Sequence, residues 1–216
     1  MSPVIPETQR LIDRGLAQLA SESSEYIIAC DEVGTGAWAG PATVCAAVVR
    51  RGWTHPQVKD SKKVKKALKR LQVARDILIP PNVVFHLILD SPPSVIDAIG
   101  LWRARDECVV DAIEVCLAKF PGSSMVMDGD HVPPEAPPGL ICFPKADDLV
   151  TAVSAASLLA KVHRDSYMYE QHVLYPHYGF IDNVGYGVPE HEEGLKTRGL
   201  CPIHRRTFRP MKHYAR

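Results

Sequence analysis

In YIIACDEVGTGAWAGPATVCAAVVR, residues 26–50, a short apolar run from Tyr26 to Cys30 ends in the acid pair Asp31-Glu32. A glycine-punctuated turn follows, and then the β-rich run Thr43 to Val49. Apolar runs of this kind, bounded by glycine and proline, predict two early strands. Neighbouring strand residues face opposite sides, so Asp31 and Glu32 share a site only if the strand breaks at Glu32. Gly34 and Gly36 are expected to supply that break.

Working outward, Leu11, Ile12, Leu16 and Leu19 recur at helical spacing behind Pro6-Glu7-Thr8 and predict a helix closing near Ser21. Lys62 to Leu78 carries the same period through Val64, Leu68 and Leu71, Val83 to Leu89 reads as a strand, and Ser94 opens a longer helical pattern reaching Val115. Met125 to Met127 is a short buried strand ending at Asp128-Gly129, and a proline-rich loop leads from it to a strand over Leu140 to Phe143. Val150 to about Met168 is rich in Ala and Leu with few breakers, which predicts a largely buried helix. Glycine, proline and tyrosine interrupt every period from Tyr175 to Gly187; a short helix over Pro189 to Thr197 and a basic tail from Cys201 follow. Hairpin-like and crossover connections together predict an α/β fold with a mixed sheet.

The chain has 216 residues, 46% hydrophobic and 23% charged, enough apolar material for one packed domain with at most a small appendage, and wholesale disorder is excluded. Its 25 basic and 25 acidic residues cancel, so the total advertises neither a nucleic-acid nor a membrane partner. Six cysteines without a C-x-x-C pair predict a reduced, intracellular protein. No apolar run nears the roughly 18 residues of a spanning helix, and MSPVIPETQR lacks an export signal, so a soluble, cytoplasmic protein is expected.

Taken singly, Asp31, Glu32, Asp128 and Asp147 are ordinary acids at element ends. Taken together, acids that terminate separate strands of a mixed sheet converge where such sheets bind ligands. Four carboxylates without histidine or cysteine make an oxygen-only site, suited to Mg²⁺ or Mn²⁺ better than zinc, with two ions balancing the charge. Phosphodiester hydrolysis by metal-activated water fits four acids, whereas glycosidic chemistry needs only two.

Five blocks give the chain a close resemblance to the type 2 ribonucleases H, the ribonuclease HII family: ACDEVGTGAWAGP (29–41), DSKK (60–63), MDGD (127–130), KADDLVTAVSAASLLAKVHRD (145–165), and YPHYGFIDNVGYGVPEH through CPIHRRTF. The resemblance implies a ribonuclease H-like fold over 1–170, a C-terminal helical, substrate-contacting extension over 171–216, and cleavage of the RNA strand of RNA–DNA hybrids with Mg²⁺ or Mn²⁺. It also implies incision 5′ to ribonucleotides embedded in duplex DNA, by a monomer. Its metal-binding acids fall on Asp31, Glu32, Asp128 and Asp147; Asp148 is the rival, set aside because the family's acid directly follows Lys-Ala.

Gly34-Thr35-Gly36 stands where the family has Gly-Arg-Gly and looks like the type 3 branch, while Val184 and Val188 replace common polar residues. A type 3-like restriction to longer RNA stretches, and a catalytically idle hybrid-binding module, are therefore the competing functions. Lys59 to Arg70 holds seven basic residues and one acid. It is either a solvated helix face or a phosphate contact, and DSKK favours the second for Lys62 and Lys63. Lys161 and Arg164 share a helical face, and Lys161, in an apolar helix, needs an anion: a structural carboxylate or the substrate backbone, with the resemblance favouring substrate. Telling RNA from DNA requires reading a 2′-hydroxyl, for which the main chain of Gly34, Thr35 and Gly36 is open. Tyr186 resembles the family tyrosine that stacks on the sugar at the RNA-to-DNA junction. His191 and His204 lack a second ligand at metal spacing and are read as structural.

Overall fold

The computed structural model describes residues 6–61 and 67–214. Its sheet has the order β3-β2-β1-β4-β5. β1 (Tyr26–Val33), β2 (Ala42–Arg50) and β3 (Val83–Ser91) form an antiparallel meander. β4 (Ser124–Asp128) joins β1 in parallel and β5 (Leu140–Phe143) joins β4 in parallel.

The pleat of β1 divides the core. Ile27 and Ala29 face α1 (Glu7–Ser21), α2 (Pro56–Ser61), α3 (Ala67–Ile77) and α7 (Thr151–Leu174), while Ile28 and Cys30 face α5 (Leu101–Lys119). α7 is the central helix: Ala152, Val153, Ala155, Ala156 and Ala160 are buried along it, and their small side chains let it lie close against β1 and β2. A third cluster, around Met168, Tyr178, Phe180, Leu195 and Ile203, packs the segments after α7, namely a 3-10 turn at Pro176–Tyr178, α8 (Phe180–Asn183) and α9 (Pro189–Arg198), onto Ala39. Among the described residues no helix is long and apolar enough to cross a membrane.

Three expectations are corrected. β1 does not break at Glu32: its pairing continues through Glu32↔Val44 and Val33↔Thr43, because both partner positions extend the β2 ladder. The helix expected from Ser94 is two, α4 (Pro93–Ile99) and α5, divided at Gly100, whose φ of +89° no helix accommodates. The helical pattern from Lys62 is described only from Ala67, and α2 precedes it; Lys62 and Lys63 lie outside the described residues.

Gly15 lets α1 pack tightly against β5: a Cβ there would stand 2.2 Å from Phe143 Cδ1 and 2.9 Å from Phe143 Cβ. Gly15→Ala is expected to destabilise by about 1–3 kcal/mol in urea unfolding, overpacking outweighing the gain in helix propensity of about 1 kcal/mol. An unchanged or higher stability would contradict that packing.

Candidate active site

β1 and β4 run parallel, with Cys30 opposite Met127 as their last registered pair. One residue further stand Asp31, two residues before the end of β1, and Asp128, the last residue of β4. Asp31 is buried at 5% exposure and its Oδ1 accepts the Glu32 N–H at 2.9 Å. Asp147 reaches the same edge from α6 (Ala146–Leu149): its N–H points at Asp128 Oδ1 at 3.4 Å, and its carbonyl accepts a hydrogen bond from Ser154 Oγ at the start of α7. Asp147 is half-buried and Asp148 exposed. Lys145 adopts a left-handed conformation (φ 64°) that turns the chain from β5 into α6.

Glu32 alternates to the opposite face and meets α5, where Arg105 Nη2 lies 3.3 Å from its Oε2. Burial pushes the Glu32 carboxyl above its ordinary value; Arg105 opposes the shift, and the negative charge of Asp128 adds to it. The strand therefore delivers Asp31 and Glu32 to one sheet edge from two faces. Among the described residues, no three His, Cys, Asp or Glu side chains close around a single point tightly enough to hold an ion by themselves.

Beside these acids the β1–β2 turn and the segment after α8 are sewn together. Trp38 and Ala39 donate their N–H groups to Gly185 O at 2.8 and 3.2 Å. A Cβ on Gly185 would meet Ala39 O at 2.4 Å, and one on Gly34 (φ +84°) would meet Arg164 Nε at 2.1 Å, so backbone and guanidinium approach only because both are glycine. Tyr186 stands over Gly36: its Cε1 is 3.7 Å from where a Cβ of Gly36 would be. Tyr186 is 36% exposed. Thr35 is half-buried and its carbonyl is turned to Arg205.

Arg164 and Lys161 differ from their expected role as a substrate-facing pair. Arg164 is wholly buried and donates from Nε, Nη1 and Nη2 to the carbonyls of Pro41, Val184 and Ala39 at 2.9–3.0 Å. Its guanidinium carbon lies 5.7 Å from the Tyr186 ring centroid. Lys161 has a structural carboxylate, Asp165, at 2.7 Å, and Arg70 shares that acid at 3.1 Å.

Sequence reasoning missed Arg205. It is as buried as Arg164 and donates from Nε, Nη1 and Nη2 to Gly40, Thr35 and Gly34 carbonyls at 3.0, 3.0 and 2.7 Å. Burial, with repulsion from Arg164, lowers its pKa to about 9, so it is still charged at neutral pH. Nothing in a basic tail distinguishes a buried arginine from its solvated neighbours. His191 and His204 are indeed structural, and they serve Tyr186. Cys201 N–H donates to His204 Nδ1 at 2.9 Å, which puts the His204 proton on Nε2, facing His191 Nε2 at 2.9 Å. His191 Nδ1–H is then free to donate to Tyr186 O at 3.0 Å. Burial disfavours the charged form of both rings, lowering the pKa of His204 to about 4.

Comparison with known proteins gives the family and the fold. Residues 28–211 match the family described as ribonuclease HII. The ribonuclease HII of Chlamydia pneumoniae is 34% identical over 216 residues, covering 98% of this chain and 97% of that protein. Among solved structures, the ribonuclease H2 from Pyrococcus horikoshii superposes with a TM-score of 0.69 at 24% identity, over 88% of this chain and 96% of that one. Bst-RNase HIII in complex with Mn²⁺ superposes with a TM-score of 0.65 at 20% identity, over 90% of this chain and 70% of that one. At these identities the structural likeness establishes the ribonuclease H-like fold.

Proposed function

The chain belongs to the ribonuclease HII family and is a ribonuclease H endonuclease, and we propose that, besides hydrolysing the RNA strand of RNA–DNA hybrids, it incises duplex DNA 5′ to a single embedded ribonucleotide. The observation that carries this reading is the Tyr186 ring lying over Gly36, one turn from Asp31 and Glu32. A sugar stacked on that ring lies beside the main chain of residues 35 and 36; with the Gly34 and Thr35 carbonyls held by Arg205, the N–H groups there and the Gly36 carbonyl are what read a 2′-hydroxyl, without needing the side chain of residue 35. Substrate contacts are assigned to Gly34, Thr35, Gly36, Tyr186 and the lysines Lys62 and Lys63, and residues 171–216 to the substrate-contacting extension. Arg164 acts by positioning, since all three of its nitrogens are committed to carbonyls.

Asp31, Glu32, Asp128 and Asp147 would hold the divalent cations. Their oxygen-only donors suit Mg²⁺ or Mn²⁺, and the repulsion that Asp128 exerts on half-buried Glu32 is of the sign a cation relieves. When bound, such ions supply Lewis acidity that activates water and stabilises the departing 3′-oxygen. The chain's own part is geometric. The adjacent parallel strands β1 and β4 fix Asp31 and Asp128, and Ser154 with the Asp128 carboxylate fixes the backbone at Asp147. Attack of water on phosphorus breaks the bond to the 3′-oxygen and leaves 3′-hydroxyl and 5′-phosphate ends.

The test compares a duplex carrying one ribonucleotide with a long hybrid, in Mg²⁺ and in EDTA, for wild type, Thr35→Arg and Tyr186→Ala. Wild type is expected to cut both substrates in Mg²⁺ and neither in EDTA. Tyr186→Ala should lose incision at the lone ribonucleotide by about tenfold or more, the value of about 1–3 kcal/mol per stacked base or sugar. Wild-type cutting of the hybrid alone, rescued by Thr35→Arg, would assign the chain a type 3-like preference instead. Hybrid binding without cleavage would make it a binding module.

A further inference from the structure

The sequence pattern drew attention to no cation on α5, yet Arg105 is 3% exposed and lies against the acid centre. Its Nη1 donates to Asp106 Oδ1 at 2.5 Å and its Nη2 to Glu32 Oε2 at 3.3 Å, while its Nε has no hydrogen-bond partner among the described residues. The other Asp106 oxygen meets His131 Nε2 at 3.0 Å, on the loop that follows Asp128. Trp102 lies 5.9 Å from the guanidinium carbon.

A guanidinium kept only to anchor one carboxylate normally presents two parallel N–H groups to it, at about 2.7–2.9 Å. Arg105 does otherwise. It divides itself between two acids, is tight on Asp106 and long on Glu32, and leaves Nε unused. The Asp106 arm is the anchor, and the Glu32 arm is the one a stronger cation can take over. Arg105 is thus a monovalent charge standing where an oxygen-only donor set would receive a divalent one.

We propose that Arg105 is a positioning residue that serves as the resident cation of the acid centre, holding Glu32 until a divalent ion displaces it. The proposal rests on the reading of Glu32 as an ion ligand. Ion binding is then an exchange: affinity is weaker than the carboxylates alone would give, and Asp106, which touches no ion, tunes it by restraining Arg105.

The experiment is a titration of the full chain with Mn²⁺ at fixed pH and ionic strength, reading free Mn²⁺ by electron paramagnetic resonance. Arg105→Met is expected to bind Mn²⁺ about tenfold more tightly, because a positive charge a few ångströms from the ion is removed. Asp106→Asn is expected to weaken binding about threefold, because Arg105 is then free to turn both terminal nitrogens to Glu32. In the double variant the Asp106 effect should shrink to the part its charge exerts on Glu32 directly, since the remainder acts through the Arg105 contact. Arg105→Lys, which keeps the charge, should stay within about twofold of wild type.

A purely structural Arg105 would lower the melting temperature of Arg105→Met without tightening Mn²⁺ binding, and unchanged or weaker binding overturns the proposal. An Asp106→Asn effect undiminished in the double variant overturns it too. If Arg105→Met does not fold, Asp106→Asn alone decides, and unweakened binding there is fatal. Glu32→Gln separates the two layers. Should it leave Mn²⁺ affinity unchanged, the ligand reading of Glu32 fails and the proposal with it. Should it weaken binding while Arg105→Met does not tighten it, only the proposal fails.

Discussion

Asp128→Asn is expected to lose Mg²⁺-dependent cleavage of an RNA–DNA hybrid by more than about a hundredfold, the loss seen when residues that merely support a metal ligand are removed. Asn is nearly isosteric and its amide oxygen can still accept the Asp147 N–H that now points at Asp128 Oδ1. What it lacks is the charge a hard cation requires. The same substitution should raise the thermal midpoint in metal-free buffer by a few degrees, about 0.5–1 kcal/mol, because it removes a negative charge that disfavours ionised Glu32. Adding Mg²⁺ should stabilise wild type through binding linkage and stabilise the variant far less. Near-normal turnover in the variant would remove Asp128 from the ion site.

The second large effect belongs to Arg205. Arg205→Met withdraws one donor from each of the carbonyls of Gly34, Thr35 and Gly40 inside the protein, of which Gly34 keeps the Ala37 N–H at 3.2 Å. Each buried carbonyl left without a partner costs about 1–3 kcal/mol, partly recovered by relaxation, so urea unfolding should show a loss of about 3 kcal/mol or more. Relief of the repulsion between Arg205 and Arg164 offsets only part of this. Arg205→Lys should be nearly as damaging, since a point ammonium cannot reproduce three bonds fanned over one turn. Incision at a lone ribonucleotide should fall more than hybrid cleavage, because the turn under Tyr186 is what loosens. A stability loss below about 1 kcal/mol would show that the turn holds its shape unaided.

Elements with a strong period or a sharp boundary were legible in the sequence: α1, β1, β2, β5 and α9 lie within a few residues of their expected limits. Gly100 was not legible as a break, because an isolated glycine within a helical period is ordinarily tolerated and only its positive φ ends α4. The continuation of β1 through Glu32 was hidden for a related reason. Acids are poor strand formers, and only the ladder to Val44 and Thr43 holds the backbone extended there. Asp31, Asp128 and Asp147 were legible as acids at or near element ends, whereas the contact of Glu32 with Arg105 depends on a helix seventy residues away and has no local signature. The two buried arginines show the same limit. Their partners are main-chain carbonyls, which every residue carries, so composition and spacing say nothing about them.

Those carbonyls have a consequence in time. The turn over residues 34–40 is bonded to Arg205 across 165–171 positions of sequence, and Arg164 ties the same turn across more than 120. During synthesis, which delivers the chain from its N-terminus, β1 and β2 can pair early, but the turn between them has to wait for Arg205 to leave the ribosome. A nascent ribonuclease of this design carries Asp31 and Glu32 long before it has a shaped cradle for a sugar, and so gains its grip on RNA only once Arg205 has emerged.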